Sequence, residues 1–213
     1  MTVEIRYFYA PISGFAYLGE PRLMEIAEEA GAVVRFRPMD IATVFKAGGT
    51  TPPAAQHPAR LAYRLHDLAR EAARVGLPIN PKPRHWPVPC APAGHLILAA
   101  EALGLAPHPV SFALLRATYA EERDISDPAT LRDIVTSLDL DAGALTERAA
   151  QPDIAAAFAA STNEAIEAGV FGSPSYLVGD EIFFGQDRLG ALAWRLRQAR
   201  APANVSDQRT EMR

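Results

Sequence analysis

The sequence predicts an α/β protein whose small mixed sheet is interrupted by a long helical segment. The chain opens in the order strand, helix, strand and closes in the order helix, hairpin, helix. Between these two ends it shows helix patterns only. With 213 residues, of which 49% are hydrophobic, the chain can form one domain, or two small interlocked ones, around a substantial core.

The N-terminal residues carry the first strand, helix, strand pattern. Residues 3–9 alternate and are rich in β-branched and aromatic side chains, which is typical of a strand. Residues 15–30 favour a helix that Pro21 is expected to bend. Gly31 suits a helix C-cap, and residues 33–37 favour a second strand. We expect these two strands to be parallel, because a helix connects them.

The middle of the chain predicts a helical insertion. Residues 46–58 have the composition of a Gly/Thr/Pro loop, and a helix with an apolar stripe from Leu61 to Ala72 follows. A Pro-rich passage occupies residues 78–92. Shorter helix patterns then cover residues 93–103, 109–121 and 129–137.

The C-terminal part completes the predicted sheet. Residues 152–169 favour a longer helix. Two short apolar runs, residues 175–178 and 181–184, flank the pair Gly179-Asp180, and this arrangement predicts a β-hairpin. A last helix is expected to begin at Asp187.

With the middle helices removed, this element order matches a thioredoxin-like fold, which is a mixed four-stranded sheet covered by helices. We therefore assign residues 1–45 and 151–200 to a thioredoxin-like domain and residues 46–150 to an all-helical insertion domain, with a polar tail over residues 201–213. An ordinary α/β fold with a helical subdomain also fits the order of elements.

Composition excludes several classes of function. The formal charge is −4 with no basic run, which argues against nucleic acid binding. No apolar run approaches the ~20 residues that span a membrane, and no signal-peptide pattern opens the chain, so we expect a cytoplasmic protein. The five histidines show no metal-ligand spacing, so no metal is expected. The single cysteine, Cys90, cannot form an intrachain disulfide. Its simplest interpretation is a packed apolar residue, and the alternative is a contact with a ligand thiol.

The segment Ser13-Gly14-Phe15-Ala16 lies between the first strand and the first helix, where thioredoxin-type redox proteins carry Cys-x-x-Cys. Without those cysteines, the chain itself cannot exchange disulfides. Ser13 can instead donate a hydrogen bond to a thiolate that a ligand supplies, or it can act as an ordinary N-cap. Lowering a thiol pKa by two units needs about 2.7 kcal/mol. A helix terminus gives about 0.3–2 kcal/mol and a charge-assisted hydrogen bond about 1.5–3 kcal/mol, so together they suffice.

Two further segments suggest a binding site. A cis Ser173–Pro174 bond would present the backbone of Ser173 to a peptide ligand. Asp187 suits either an N-cap of the last helix or a carboxylate that pairs with a ligand ammonium group.

Several blocks of the chain resemble the 2-hydroxychromene-2-carboxylate isomerases and the related kappa-class glutathione transferases. The resemblance covers roughly residues 3 to 198, and its most specific parts are the two C-terminal blocks. The matching residues are Ser13, Phe15, Tyr17-Leu18, Phe45-Lys46-Ala47, Pro58-Ala59-Arg60, Tyr63, Asp67-Leu68, Gly169-Val170-Phe171-Gly172-x-Pro174 and Phe184-Gly185-Gln186-Asp187-Arg188-Leu189.

The resemblance implies glutathione as the cofactor. Ser13 would hydrogen-bond the glutathione sulfur and act as the catalytic residue. The remaining glutathione-binding residues would be Ser173 and Pro174 at the cysteinyl part, Asp187 and Gln186 at the γ-glutamyl end, Arg60 at a carboxylate, and Thr50, which stands where the family commonly has asparagine. Relatives also imply a homodimer and a small aromatic carboxylate as the second substrate.

The departures from the family pattern lie near Ser13. The family's usual Ser-Pro-Tyr-Ser is replaced by Ser13-Gly14-Phe15-Ala16, and Ser173 replaces an aliphatic residue. We expect these changes to affect recognition of the second substrate more than binding of glutathione.

Four aromatic residues are candidates for the wall of a substrate pocket: Phe15, Phe45, Tyr63 and Trp86. His85 is a further candidate. Arg64 and Asp67, on the same helix as Tyr63, are expected to form a solvated, ion-paired face.

The leading hypothesis is a glutathione-dependent isomerase of a 2-hydroxychromene-2-carboxylate-like intermediate of aromatic degradation. The alternatives are a kappa-type glutathione transferase and a non-catalytic thioredoxin-like binder of thiols or peptides, in which Ser13 is only a cap.

Overall fold

The computed structural model describes residues 2–200, so the predicted polar tail lies outside the described residues. Four strands form one mixed sheet in the order β2-β1-β3-β4. β1 pairs parallel with β2 and antiparallel with β3, and β3 pairs antiparallel with β4. This topology confirms the predicted thioredoxin-like fold. The strands are β1 Glu4–Tyr9, β2 Val33–Pro38, β3 Ser175–Val178 and β4 Glu181–Phe184.

The helices of the described residues follow the sequence patterns closely, with two exceptions. The predicted loop over residues 46–58 is wrong in its first part, because α2 extends to Gly48 and a short 3-10 turn covers Pro53–Ala55. The second exception is α7, for which the sequence pattern gives no bounds. The helices are α1 Gly14–Ala30, α2 Ile41–Gly48, α3 Pro58–Val75, α4 Ala91–Ala102, α5 Pro107–Tyr119, α6 Pro128–Thr136, α7 Ala142–Ala149, α8 Pro152–Glu167 and α9 Leu189–Arg200.

Helix α1 runs without interruption through Pro21. Its first turn lies close against two neighbouring helices, and Gly14 makes this possible. A Cβ atom on Gly14 would lie 2.8 Å from Cδ2 of Leu68 and 3.0 Å from the ring of Tyr119. The helix ends at Gly31 in the left-handed conformation, as the sequence predicts.

The sheet and the middle helices share one hydrophobic core. A single cluster of buried side chains includes Ile5 and Tyr176 from the sheet together with Leu68, Ile97 and Leu114 from α3, α4 and α5. Helix α4 packs on α7, α8 and β2. The division into two domains stays a prediction. No helix within residues 2–200 combines the length and apolar character that crossing a membrane requires.

A buried carboxylate ties α1 to β1 and α5. Glu20 is 0% exposed, and its Oε2 accepts hydrogen bonds from the hydroxyls of Ser111 at 2.8 Å and Tyr7 at 3.3 Å. Its Oε1 lies 3.0 Å from Nδ1 of His108. Burial raises the pKa of Glu20 above its ordinary value of 4.5, and these partners offset the effect only in part. The folded protein therefore favours the protonated form of this group more than the unfolded chain does.

This shift predicts a pH-dependent stability difference between the wild type and Glu20→Gln. As pH rises from 4.5 toward the raised pKa of the folded state, the unfolded chain releases the Glu20 proton more readily, and wild-type stability falls. Glutamine cannot ionise, so the free energy of unfolding of the variant, measured by urea denaturation, is expected to rise relative to the wild type over this range. Glu25→Gln, on the exposed face of α1, is the control. The prediction would be contradicted if the difference in free energy of unfolding between the wild type and Glu20→Gln did not change with pH.

Candidate active site

Ser13 occupies the N-terminus of α1 and is only 8% exposed. Its Oγ accepts a hydrogen bond from the amide of Ala16 and donates one to the carbonyl of Ser173, both at 3.3 Å. The N-cap interpretation from the sequence is therefore correct. It leaves the hydroxyl proton free to turn toward a ligand, because the long bond to Ser173 is weak.

Two side chains from the helical segment fix the residue before Ser13. The carbonyl of Ile12 accepts hydrogen bonds from Nε1 of Trp86 and from the hydroxyl of Tyr119, each at 2.9 Å. Burial raises the pKa of Tyr119 to about 12, so its hydroxyl is a donor at neutral pH. Trp86 was predicted as a pocket wall. Its bond to the Ile12 carbonyl is a role that the sequence does not indicate.

The segment before β3 faces the start of α1. The Ser173–Pro174 bond is cis, as predicted, and a second cis bond joins Trp86 and Pro87. Oγ of Ser173 accepts a hydrogen bond from the amide of Ala10 at 2.9 Å. The Ser173 side chain thus bonds to the loop that carries Ser13.

A cavity of about 290 Å³ opens beside Ser13, near the lower end of the usual range for small-molecule sites. Its walls come from the β1–α1 loop, from α2 and from the Pro-rich loop before α4. Among the predicted residues, Ser13, Ser173, Phe45 and Trp86 line it. The structure therefore brings these four together.

Arg64 also lines this cavity, and the predicted ion-paired surface role is wrong for it. Its guanidinium lies 5.1 Å from the ring centroid of Phe15 and 5.9 Å from that of Trp86. The prediction holds for Asp67, which pairs with Arg70 at 2.9 Å. Asp67 therefore pairs with the arginine that follows it in α3, whereas Arg64 contacts the aromatic rings.

Cys90 contributes a neutral thiol to the same cavity. It is buried, as predicted, and burial raises the pKa of the thiol from its ordinary value of 9.0 to about 12. At neutral pH this sulfur is protonated, so it is a poor nucleophile.

Gln186 and Asp187 line a second, larger cavity of about 640 Å³, between α1, α3 and the start of α9. The N-cap interpretation of Asp187 is wrong. Gly185 has a φ of +95° and opens a short 3-10 turn, so that α9 begins only at Leu189. The exposed Asp187 carboxylate lies 3.7 Å from Arg188. The amide of Gly185 donates to the carbonyl of Pro174 at 2.9 Å, which joins the residue before Gln186 to the residue after Ser173.

Gln186 packs tightly between α1 and α3. Its Nε2 donates a hydrogen bond to Oε2 of Glu71 at 3.0 Å. Its Cβ would lie 2.7 Å from a Cβ atom on Gly19, so this approach requires glycine in α1. Glu71 also bonds to Arg74, and this partner is the main reason why the pKa of Glu71 is lowered.

The other predicted residues line neither cavity. Thr50 donates a hydrogen bond to the carbonyl of Phe171 at 3.2 Å and so supports the segment that leads to Ser173. Arg60 is exposed on the first turn of α3, and Tyr63 is 61% exposed. His85 lies 3.9 Å from Asp124. Within residues 2–200, no group of three His, Cys, Asp or Glu side chains could hold a metal ion.

Comparisons with known proteins agree with this architecture. The family model of the DSBA-like thioredoxin domain matches residues 4–197. A 2-hydroxychromene-2-carboxylate isomerase from Sphingobium xenophagum is 30% identical over 197 residues, which cover 90% of this chain and 97% of the relative. The chain belongs to the DSBA-like thioredoxin family, in the group of the 2-hydroxychromene-2-carboxylate isomerases.

Two solved structures share the fold of this isomerase-family chain. One is a 2-hydroxychromene-2-carboxylate isomerase, with a TM-score of 0.75 and 24% identity over 92% of this chain and 95% of that one. The other is the cytosolic disulfide reductase DsbM from Pseudomonas aeruginosa with GSH, with a TM-score of 0.65 and 24% identity over 92% of this chain and 100% of that one. At these identities the likeness shows the fold alone.

The positions at which the sequence is expected to depart from the family pattern have structural roles in this chain. Gly14 lies where α1 packs against Leu68 and Tyr119. Ser173 uses its hydroxyl to hold the loop at Ala10. Both residues therefore belong to the packing around Ser13.

The shared acceptor at Ile12 predicts coupling between Trp86 and Tyr119. Each single substitution to phenylalanine leaves the carbonyl one donor, and Tyr119→Phe is expected to cost about 0.5–1.5 kcal/mol. The double variant leaves this carbonyl without its partners, which adds about 1–3 kcal/mol beyond the sum of the single effects. Denaturant unfolding of the four proteins measures this coupling.

Tyr17→Phe provides the matched control for this cycle. Its hydroxyl donates to a different acceptor, the carbonyl of Pro78 at 3.1 Å. Its effect is expected to add to that of Trp86→Phe. Additive effects in the Trp86 and Tyr119 pair would show that the two donors do not act on one acceptor.

Proposed function

We propose that the protein is a glutathione-dependent isomerase of a 2-hydroxychromene-2-carboxylate-like substrate. The observation that carries this proposal is the Ser13 hydroxyl at the start of α1, beside a cavity whose own thiol, Cys90, is neutral. A thiolate nucleophile must therefore come from a ligand. The relative from Sphingobium xenophagum bears the isomerase name, and the DsbM structure contains GSH.

The site supports thiolate formation on bound glutathione. The glutathione sulfur would replace the Ser173 carbonyl as acceptor of the Ser13 hydroxyl bond, and the N-terminus of α1 would add positive potential. These two contributions are together large enough to lower the thiol pKa by about two units.

The chemistry that follows conserves glutathione. The thiolate adds to an unsaturated carbon of the substrate and forms a C–S bond, while the ring C–O bond breaks and its electron pair remains on oxygen. Rotation then occurs about a carbon–carbon bond that has become single. Expulsion of the thiolate restores the double bond, so no net oxidation or reduction takes place.

The second cavity suits the γ-glutamyl end, which carries both an ammonium and a carboxylate group. Its lining has both charges, negative from Asp187, Glu71 and Glu25 and positive from Arg22 and Arg74. The bond between Gly185 and Pro174 joins the residue before Gln186 to the residue after Ser173, whose backbone would pair with the cysteinyl part. Arg60 and Thr50 remain proposed contacts of glutathione, and the homodimer remains a prediction.

Ser13→Ala tests the proposal directly. Loss of a charge-assisted hydrogen bond of about 1.5–3 kcal/mol is expected to raise the pKa of bound glutathione by about one to two units. Ultraviolet absorbance of the thiolate, titrated with pH, measures this change. A parallel product assay with hydroxychromene carboxylate is expected to show turnover only with glutathione and a loss of about tenfold or more in the variant.

The control for this experiment is Ser161→Ala. Ser161 has a buried hydroxyl without a hydrogen-bond partner among the described residues, and it lines neither cavity. Equal thiolate signals in Ser13→Ala and the wild type would overturn the enzyme proposal in favour of a thiol or peptide binder. Turnover without glutathione would overturn the mechanism, and consumption of glutathione into a stable conjugate would identify a transferase.

Asp187→Asn tests the γ-glutamyl end. The variant is expected to bind glutathione about three- to tenfold more weakly in calorimetry, because the ammonium group loses a charged partner. The dipeptide Cys-Gly, which lacks the γ-glutamyl group, is expected to bind both proteins equally. Asp180→Asn, in the exposed hairpin turn, controls for the change in net charge. Equal losses for glutathione and the dipeptide would assign Asp187 a structural role.

A further inference from the structure

The cavity beside Ser13 combines apolar walls with one basic group. Phe45, Trp86 and Val88 form part of the walls. Among the described lining residues, Arg64 carries the only basic side chain. This composition suits a flat, unsaturated ligand with a negative charge at one end.

Arg64 has no carboxylate partner within the described part of the chain, and this distinguishes it from its neighbours in α3. Arg70 pairs with Asp67 at 2.9 Å, and Arg74 pairs with Glu71 at 2.7 Å. The Arg64 guanidinium instead contacts the rings of Phe15 and Trp86 and is partly shielded from water. The Arg64 side chain also interacts with the hydroxyl of Tyr119. Its remaining in-plane N–H groups are available to an anion, because ring contact does not use them.

Asp40, the acidic residue that lines the same cavity, does not form an ion pair with Arg64. Asp40 caps α2, and its carboxylate accepts hydrogen bonds from the amide of Ala42 at 3.1 Å and from the hydroxyl of Thr43 at 2.6 Å. These bonds occupy both oxygens of the carboxylate. The positive charge of Arg64 therefore faces a cavity whose fixed negative charge already has partners.

We infer that Arg64 binds the carboxylate of the second substrate and holds its unsaturated part against the aromatic wall beside Ser13. This inference rests on the proposed function, because it presumes that the carboxylate is the molecule that a thiolate at Ser13 attacks. The ligand class is a one- or two-ring unsaturated carboxylate. Planar N–H donors that are held by rings suit two-point recognition of a carboxylate better than a lysine ammonium does.

Calorimetric titration of the intact protein without glutathione tests the inference. The probes are cinnamate and its neutral isostere cinnamamide. The wild type is expected to bind cinnamate about tenfold or more tightly than the amide. Arg64→Met is expected to remove this preference while its affinity for cinnamamide changes less than about twofold, and Arg64→Lys is expected to retain part of the preference. Arg70→Met, on the exposed side of α3, carries the same charge change as a control.

Equal weakening of both probes in Arg64→Met would overturn the inference, since it would reveal a packing role for Arg64 alone. Absence of cinnamate binding to the wild type, or an equal loss in Arg70→Met, would also overturn it. The thiolate titration of Ser13→Ala tests the proposed function, and its result does not depend on the result with these two probes. A carboxylate preference that depends on Arg64, without thiolate formation, would support the contact between Arg64 and a carboxylate and overturn the proposed function instead.

Discussion

The position of the Ser13 hydroxyl depends on the backbone carbonyl that precedes it. Trp86 and Tyr119 both donate to the Ile12 carbonyl, and they come from two separate parts of the helical segment. On the opposite side, Ser173 receives a bond from the Ala10 amide, which ties the loop to the start of β3. The loop is thus held by the sheet and by the helices at once.

The sequence predicts the parts of this arrangement that follow from local pattern. The strand pairing, the hairpin at Gly179-Asp180 and the cis bond at Pro174 all come from short stretches whose residue types restrict the backbone. Helix α2 is not predicted because it is short and ends at Gly48, and the pair Gly48-Gly49 also suits a loop. The position of Asp187 inside a 3-10 turn is not predicted, because a capping residue and a residue in such a turn give the same local signal. The positive φ of Gly185 distinguishes the two in the structure.

Arg64 and Glu20 show why the rest of the site is beyond sequence reasoning. In α3, Asp67 has arginines three residues away on both sides, and spacing alone does not say which one it pairs with. The choice follows from the Pro-rich loop, which places Trp86 beside Arg64 and has no periodicity from which its path could be read. Glu20 likewise looks like an ordinary helix residue until β1 and α5 bring Tyr7 and Ser111 to its carboxylate.

The same cavity also shows that a helix terminus does not by itself activate a thiol. Cys90 immediately precedes α4, yet its pKa is raised to about 12. A rise of three units from 9.0 corresponds to about 4 kcal/mol against the thiolate. A helix N-terminus stabilises a thiolate by at most about 2 kcal/mol, which is less than the cost of burying the thiolate. In the proposed mechanism the Ser13 hydroxyl would add a direct hydrogen bond to a sulfur that arrives with a ligand. At Cys90 desolvation therefore outweighs the helix terminus, and the proposed activation at Ser13 depends on a specific donor as well as on the start of a helix.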